Sequence, residues 1–109
     1  MYVAESGIHG KGAFAGRSFR EGGVVCTVKG VERHFTEMTA EELALSFESK
    51  PDHYILPDAP VRYMNHSDSP NCRVHGLTIR AARDISQGEE LTIDYRETTT
   101  WKGYRLPWS

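Results

Sequence analysis

Cysteine is nearly absent from this chain. Cys26 and Cys72 stand far apart and outside any C-x-x-C spacing, so neither a disulfide framework nor a structural zinc site has support. Long apolar runs are missing as well. No stretch approaches the ~18 residues a membrane helix needs, and the opening MYVAESGIHG lacks the basic region and apolar segment of a signal peptide. The expectation is an intracellular protein with no membrane partner. No excess of basic charge exists either: 13 Lys and Arg face 15 Asp and Glu, for a net charge of −2. That balance excludes a binder whose affinity comes from neutralising phosphates, so no direct nucleic-acid partner is expected. Length is short too. With 109 residues there is room for one domain, and a two-domain enzyme is ruled out. Internal repeats, linkers and low-complexity tracts are lacking.

What is present reads as small strands broken by turns. Apolar residues at 39% and charged residues at 26% match ordinary globular chains, and ten glycines supply frequent punctuation. Val24 to Val28 is rich in β-branched residues. Glu90 to Tyr95 alternates Leu91, Ile93 and Tyr95 with polar positions, and both segments read as strands. Cys72 to His75 and Leu77 to Ala82 flank Gly76 like the arms of a hairpin, while Tyr54 to Leu56 is a shorter strand ended by Pro57. One helix is expected. Thr39 and Glu42 form a capping-box pattern, Leu43 and Phe47 lie four apart on one face, and Pro51 falls just past its end.

Charge is uneven. Between Glu32 and Asp58 seven acidic side chains (Glu32, Glu37, Glu41, Glu42, Glu48, Asp52 and Asp58) face only Arg33 and Lys50. Such a surface attracts a basic peptide, or it is simply a solvated helix face. The tail from Thr98 onward carries Trp101, Tyr104 and Trp108 without periodicity, and aromatics at that density usually dock against something.

Three segments hold residue types suited to chemistry. Ser6-Gly7-Ile8-His9-Gly10-Lys11-Gly12-Ala13-Phe14-Ala15 places two glycines where backbone can approach a ligand, or where a tight turn precedes a strand. It has neither the strand-turn-helix context of a dinucleotide fingerprint nor the G-K-[ST] of a phosphate loop. Arg62-Tyr63-Met64-Asn65-His66-Ser67-Asp68-Ser69-Pro70-Asn71-Cys72 gathers amides and an imidazole near a proline turn. Taken alone, His66 reads as readily as a hydrogen-bonded structural histidine. Gly88-Glu89-Glu90-Leu91-Thr92-Ile93-Asp94-Tyr95 is a turn feeding a strand, and its terminal tyrosine suits packing as well as chemistry.

Taken in order, S-x-I-x-G-x-G-x-F-A, R-Y-M-N-H-S-x-x-P-N-C and G-E-E-L-T-I-D-Y resemble the SET domain of protein lysine methyltransferases. Tyr54 with Asp58 and Ala59 loosely resembles the strand that precedes N-H-S in that family. The resemblance runs from about Tyr2 to Trp101 and covers nearly the whole chain. It implies a mainly β fold of small curved sheets around a pseudoknot, with one short helix, forming a single domain over residues 1–109. It implies S-adenosylmethionine as cofactor, released as S-adenosylhomocysteine, held by Lys11, Gly12, Asn65, His66 and Trp101. Tyr95 becomes the catalytic residue, and Tyr54, Tyr63, Ile93 and Tyr104 the substrate channel. The implied partner is a protein whose target lysine lies in a basic segment, histone or histone-like, with a homodimer as a further expectation.

The departures from the family carry expectations of their own. Many relatives have cysteine directly after N-H-S and a cysteine-rich segment after the tyrosine, which together bind zinc. Here Asp68 holds the first position and no cysteine follows Cys72, so no metal is expected. Residues 96–109 are then the material left to close the channel, unless their aromatics cover the core or a second subunit. Small viral and bacterial members resemble this chain in length, which places it in the cytoplasm of a bacterium or in the nucleus of a virus's host. Ile93 offers no hydroxyl to anchor a water beside the reacting amine, so addition of more than one methyl is expected. The alternative reading is a SET module without catalysis that binds a peptide or protein.

Overall fold

The computed structural model describes residues 1–101; Tyr104 and Trp108 of the expected lid lie outside them. Among the described residues, short strands dominate: β1 (Tyr2–Glu5), β2 (Lys11–Phe14), β3 (Val24–Thr27), β4 (Gly30–His34), β5 (Phe47–Lys50) and β6 (His53–Pro57) in the first half. After these come β7 (Asn65–His66), β8 (Cys72–His75), β9 (Thr78–Ala81) and β10 (Glu90–Ile93). A single α-helix, α1 (Ala40–Ala44), stands among them. The strands make three small sheets, in the orders β1-β2-β10-β7, β3-β9-β8 and β4-β6-β5. This is the mainly β architecture the sequence implied. No described helix is long and apolar enough to cross a membrane.

Side-chain alternation explains the second sheet. In β8 the pattern is buried, exposed, buried, exposed, so Cys72 and Val74 face the core while Arg73 and His75 face water. β9 answers with Ile79 and Ala81, paired to Val74 and Cys72. Gly76 closes the hairpin at φ +64°, a left-handed conformation that costs glycine nothing. The core beneath the sheets is built from Met64, Ile79, Ile85, Leu91, Ile93 and Phe47, joined by Phe19, Val28 and Val61.

The expected helix is correct at its start and wrong at its end. Thr39 and Glu42 form the capping box, with Thr39 Oγ1 accepting from the Glu42 N–H at 3.1 Å and Glu42 Oε1 from the Thr39 N–H at 2.9 Å. The helix stops at Ala44, because Leu45 leaves helical geometry and Ser46 donates its hydroxyl to the Leu43 carbonyl at 2.9 Å. Phe47 therefore begins β5, where it opposes Ile55 of β6 and is 2% exposed. The four-residue spacing of Leu43 and Phe47 therefore crosses an element boundary, with Leu43 half-buried in α1 and Phe47 buried in β5. Pro51 and Asp52 form the turn between β5 and β6, with Asp52 at φ +67°.

β4 was invisible in the sequence because Gly30 to Arg33 all lie exposed at a sheet edge. Its entry demands glycine. A Cβ on Gly30 would collide with the Leu56 carbonyl oxygen and lie 3.0 Å from the Pro57 Cα, both backbone atoms of the paired strand. Gly7, by contrast, has open space around it. Gly30→Ala should therefore lower the unfolding free energy by about 2 kcal/mol, and Gly7→Ala should change it by less than about 0.5 kcal/mol. Urea denaturation of the two variants checks this, and equal midpoints would refute the close approach.

Candidate active site

The parallel pairing of β7 with β10 brings the second and third motifs side by side, with Asn65 opposite Thr92 and His66 opposite Ile93. β2 flanks β10 on its other edge and carries the first motif. Asn65 is 8% exposed, and its amide Nδ2 lies among four oxygens: Glu90 Oε2 at 2.9 Å, Ser6 Oγ at 3.1 Å, and the His9 and Lys11 carbonyls at 3.2 Å each. An amide has two protons to give. The pocket thus holds more acceptors than Asn65 can serve, one of them a carboxylate. Ser6 organises its rim, donating to Glu90 and accepting from the N–H groups of Ile8 and His9. Ser6 and Glu90 were not among the expected site residues. The signal was present in the serine that opens the first motif and the second glutamate of G-E-E.

Gly12 packs against this cluster. A Cβ there would crowd the Glu90 carboxylate and lie 3.1 Å from the Ser6 Cβ. The missing side chain makes room for the chain's own Glu90, so a valine at Gly12 would first disrupt this cluster. Lys11 is exposed and enters the cluster through its carbonyl.

The strand leading to Tyr95 ends earlier than the sequence suggested. β10 stops at Ile93; Asp94 then caps a 3-10 turn over Tyr95–Thr98, its Oδ1 accepting from the Arg96 N–H at 2.9 Å. The phenol of Tyr95 donates to the Met64 carbonyl at 2.8 Å, and its ring meets that of His66 edge-on at 5.4 Å. The Tyr95 N–H donates to His66 Nδ1 at 3.1 Å, while His66 Nε2 lies 2.8 Å from Asp68 Oδ1. A ring nitrogen that accepts from an N–H carries no proton, so the neutral imidazole holds its proton on Nε2 and gives it to Asp68.

Tyr95 and Ile93 line one cleft together with Ala44, Leu45, Phe47, Val61, Arg62, Met64 and Thr98. The walls are mainly apolar, with Arg62, Thr98 and Tyr95 as the residues that carry polar side-chain groups. Leu45 and Phe47 were missed because their role depends on where the β5 hairpin lands, and Met64, though inside the second motif, is apolar and carries no chemistry that marks it. The cleft places two expected residues together and leaves two others aside. Tyr54 hydrogen-bonds Thr99 Oγ1 at 3.0 Å, and Tyr63 lies beneath the guanidinium of Arg62, 5.0 Å from its ring centroid. Trp101 is 64% exposed.

Ionisable groups near the site have clear physical states. Burial pushes Asp94 up, but hydrogen bonds from the Arg96 side chain and backbone, with the Arg96 charge, outweigh it and hold the carboxyl below its ordinary value. Burial pushes the Cys26 thiol up to about 11 and the Cys72 thiol to about 12, so neither is a thiolate nucleophile at neutral pH. Among the described residues no three His, Cys, Asp or Glu side chains stand where they could share a metal ion.

Comparison with known proteins follows the same lines. The family model described as SET domain matches residues 10–96. The chain is 30% identical over 115 residues to human histone-lysine N-methyltransferase 2D, covering 88% of this chain and 2% of that protein. It is 30% identical over 116 residues to the H3 lysine-4-specific histone-lysine N-methyltransferase of Schizosaccharomyces pombe, with 88% and 13% coverage. It is also 38% identical over 56 residues to an H3 lysine-9-specific enzyme of Fusarium mangiferae, with 40% and 16% coverage. The chain thus spans a small part of the length of these relatives. In fold it is similar to the crystal structure of a Plasmodium falciparum protein assigned as a histone methyltransferase. There the TM-score is 0.75 at 20% identity, over 92% of this chain and 98% of that one.

Arg96 is what depresses Asp94, so its removal has a definite sign. With the folded value below 3.8, the ordering that Asp94 contributes is present above that pH and fades as pH falls through the lowered value. Arg96→Gln should move the fading to higher pH. A ¹³C NMR titration of the Asp94 carboxyl in both proteins reads this directly, and an unmoved inflection would show that Arg96 is not the cause.

Proposed function

The chain belongs to the SET-domain family, and from that premise we propose that it transfers methyl groups from S-adenosylmethionine to the side-chain amine of a lysine in a protein. The observation that carries this reading is the apolar cleft in which Tyr95 and Ile93 lie together, with the Tyr95 hydroxyl proton committed to Met64. The names of the relatives, all histone-lysine methyltransferases, support a protein lysine as acceptor. A histone-like basic segment suits the acidic stretch around Glu32 to Asp58.

The residues present fit the cofactor. The surplus oxygens around Asn65, with the Glu90 carboxylate among them, suit an ammonium group, and Lys11, Gly12, Asn65, His66 and Trp101 are the residues that would hold the molecule. When bound, S-adenosylmethionine supplies an electrophilic methyl on a sulfonium. The chain's own part is to deliver a neutral amine in line with it. A free lysine with a pKa near 10.4 pays roughly 4.6 kcal/mol to be neutral at pH 7. The apolar walls of Leu45, Phe47, Met64 and Ile93 disfavour the ammonium form. Tyr95 acts by orientation: because its proton is given to Met64, its oxygen presents lone-pair density to positive charge in the cleft. With its proton given to the Met64 carbonyl the phenol is not placed as a base, and the cleft needs none.

Tyr95→Phe should leave the fold and the affinity for S-adenosylhomocysteine intact while lowering turnover by about 10²-fold. Incorporation of labelled methyl groups into histones and lysate proteins measures it, and full turnover in the variant would remove Tyr95 from the chemistry.

Ile93 is 2% exposed and faces this cleft, where it anchors no water beside the amine. Di- and trimethyl-lysine should therefore accumulate under excess cofactor. Mass spectrometry of the modified peptide decides the point; a product that remains monomethylated at long times contradicts the role given to Ile93.

A further inference from the structure

The groups around His66 form a closed circuit that the reaction does not use directly. Arg96 grips Asp94 with two parallel bonds, Nε to Oδ1 at 2.9 Å and Nη2 to Oδ2 at 3.0 Å, and reaches Asp68 Oδ1 through Nη2 at 2.9 Å. The same Asp68 oxygen accepts from His66 Nε2 at 2.8 Å, and His66 Nδ1 accepts from the backbone of Tyr95 at 3.1 Å. Tyr95 lies between Asp94 and Arg96 in the chain, which completes the loop. We propose that Asp68 and Arg96 are positioning residues that hold His66 in its Nε2–H tautomer and thereby fix the backbone, and so the phenol, of Tyr95.

The logic rests on donors and acceptors. His66 can receive the Tyr95 N–H only if Nδ1 is bare, so its single neutral proton must sit on Nε2, and Asp68 is the acceptor that makes this tautomer favourable. Without Asp68 the carboxylate nearest the ring is that of Asp94, whose Oδ1 lies 3.7 Å from Nδ1, and the proton is drawn toward that nitrogen. On Nδ1 it would confront the Tyr95 N–H donor to donor, and the 3-10 turn carrying Tyr95 would shift. Exposure separates this role from one in stability. Asp68 and Arg96 side chains are 77% and 52% exposed, where ion pairs contribute little, whereas the His66 side chain they orient is 8% exposed. Arg96 has a second effect. By spanning Asp68 and Asp94 it ties the loop after β7 to the turn after β10, holding the acceptor against His66.

The inference rests on the proposed methyl transfer for one readout and is independent of it for the other. In Asp68→Ala, turnover should fall about tenfold with the Michaelis constant for peptide changed less than twofold, since misplacement of a reacting group acts on the transition state. Asp68→Asn keeps an oxygen for the Nε2–H and should recover most of that loss. Arg96→Gln should fall between the two. The second readout is the ¹⁵N NMR signature of the His66 ring at a pH where it is neutral: Nε2–H in the unmodified chain and in Asp68→Asn, a mixture of tautomers in Asp68→Ala. A ring that stays fully Nε2–H in Asp68→Ala overturns the proposal whatever turnover does. Lost turnover without rescue by Asp68→Asn also overturns it. If the unmodified chain methylates no lysine at all, the functional proposal fails, and the tautomer measurement still decides the positioning role.

Discussion

The parallel contact between β7 and β10 is the constraint on which the site depends, and it spans two residues on each strand. So short a ladder is not stable by itself, and the buried side chain of Asn71 extends it. Asn71 Oδ1 accepts from the Thr92 N–H at 2.9 Å, its Nδ2 donates to the Glu90 carbonyl at 2.8 Å, and its backbone N–H donates to Thr92 Oγ1 at 3.2 Å. An amide side chain thus mimics a neighbouring strand where the chain has already turned away. Every group in this exchange is satisfied, which is the condition for burying it. Asn65, His66, Tyr95 and the clasp of Asp68 with Arg96 all take their positions from this contact.

Wherever a segment carried its own alternation or turn chemistry, the sequence showed it. The hairpin around Gly76 has its apolar residues on one face and a glycine at the turn, and β3 is a β-branched run. Other elements owe their state to distant partners. β5 lies where a helix was expected because Phe47 is buried by Ile55, and β4 has no apolar face at all. β1 and β2 pair around a glycine-rich turn whose sequence reads as punctuation. The site divided in the same way. Asn65, His66, Ile93 and Tyr95 lie within contiguous motifs and were legible, whereas Ser6 and Glu90 became visible only when positions 84 residues apart met through their side chains. The cleft wall from Leu45 and Phe47 belongs to the same class, since no local pattern says where a hairpin will land.

The acidic stretch shows how a compositional signal divides once side chains are placed. Glu37 and Glu42 serve as capping residues for the short helical turns, Glu32 pairs with Lys50, and Glu48 accepts from the backbone and hydroxyl of Thr100 at 2.8 Å each. Much of the charge therefore has local work. Among the described residues of this stretch only Glu32 meets a cation, so the other acidic side chains keep their charge, and its field reaches about one screening length, ~8 Å, at physiological salt. The same side chains thus cap and pair within the fold and leave acidic charge at its surface.

β10 draws these threads together. Alternation of Leu91, Ile93 and Tyr95 with Thr92 and Asp94 suggested a strand with one face in water, yet Leu91, Thr92 and Ile93 are all buried. A central strand with both faces covered usually reads as a continuous apolar run. Here Thr92 is tolerated inside because Asn71 meets both its backbone and its hydroxyl, so the polar position is a structural bond and not a solvent-facing one. On the other face Leu91 fills the core and Ile93 walls the cleft. The strand then has to end, since Asp94 and Arg96 need water around their charges, and Asp94 ends it by capping the next turn. Tyr95 consequently sits at the step from buried strand to solvated turn, with its ring in the cleft and its backbone held by His66. A tyrosine inside the strand would be locked into packing; two residues beyond its end, it can line the cleft while the strand behind it stays rigid.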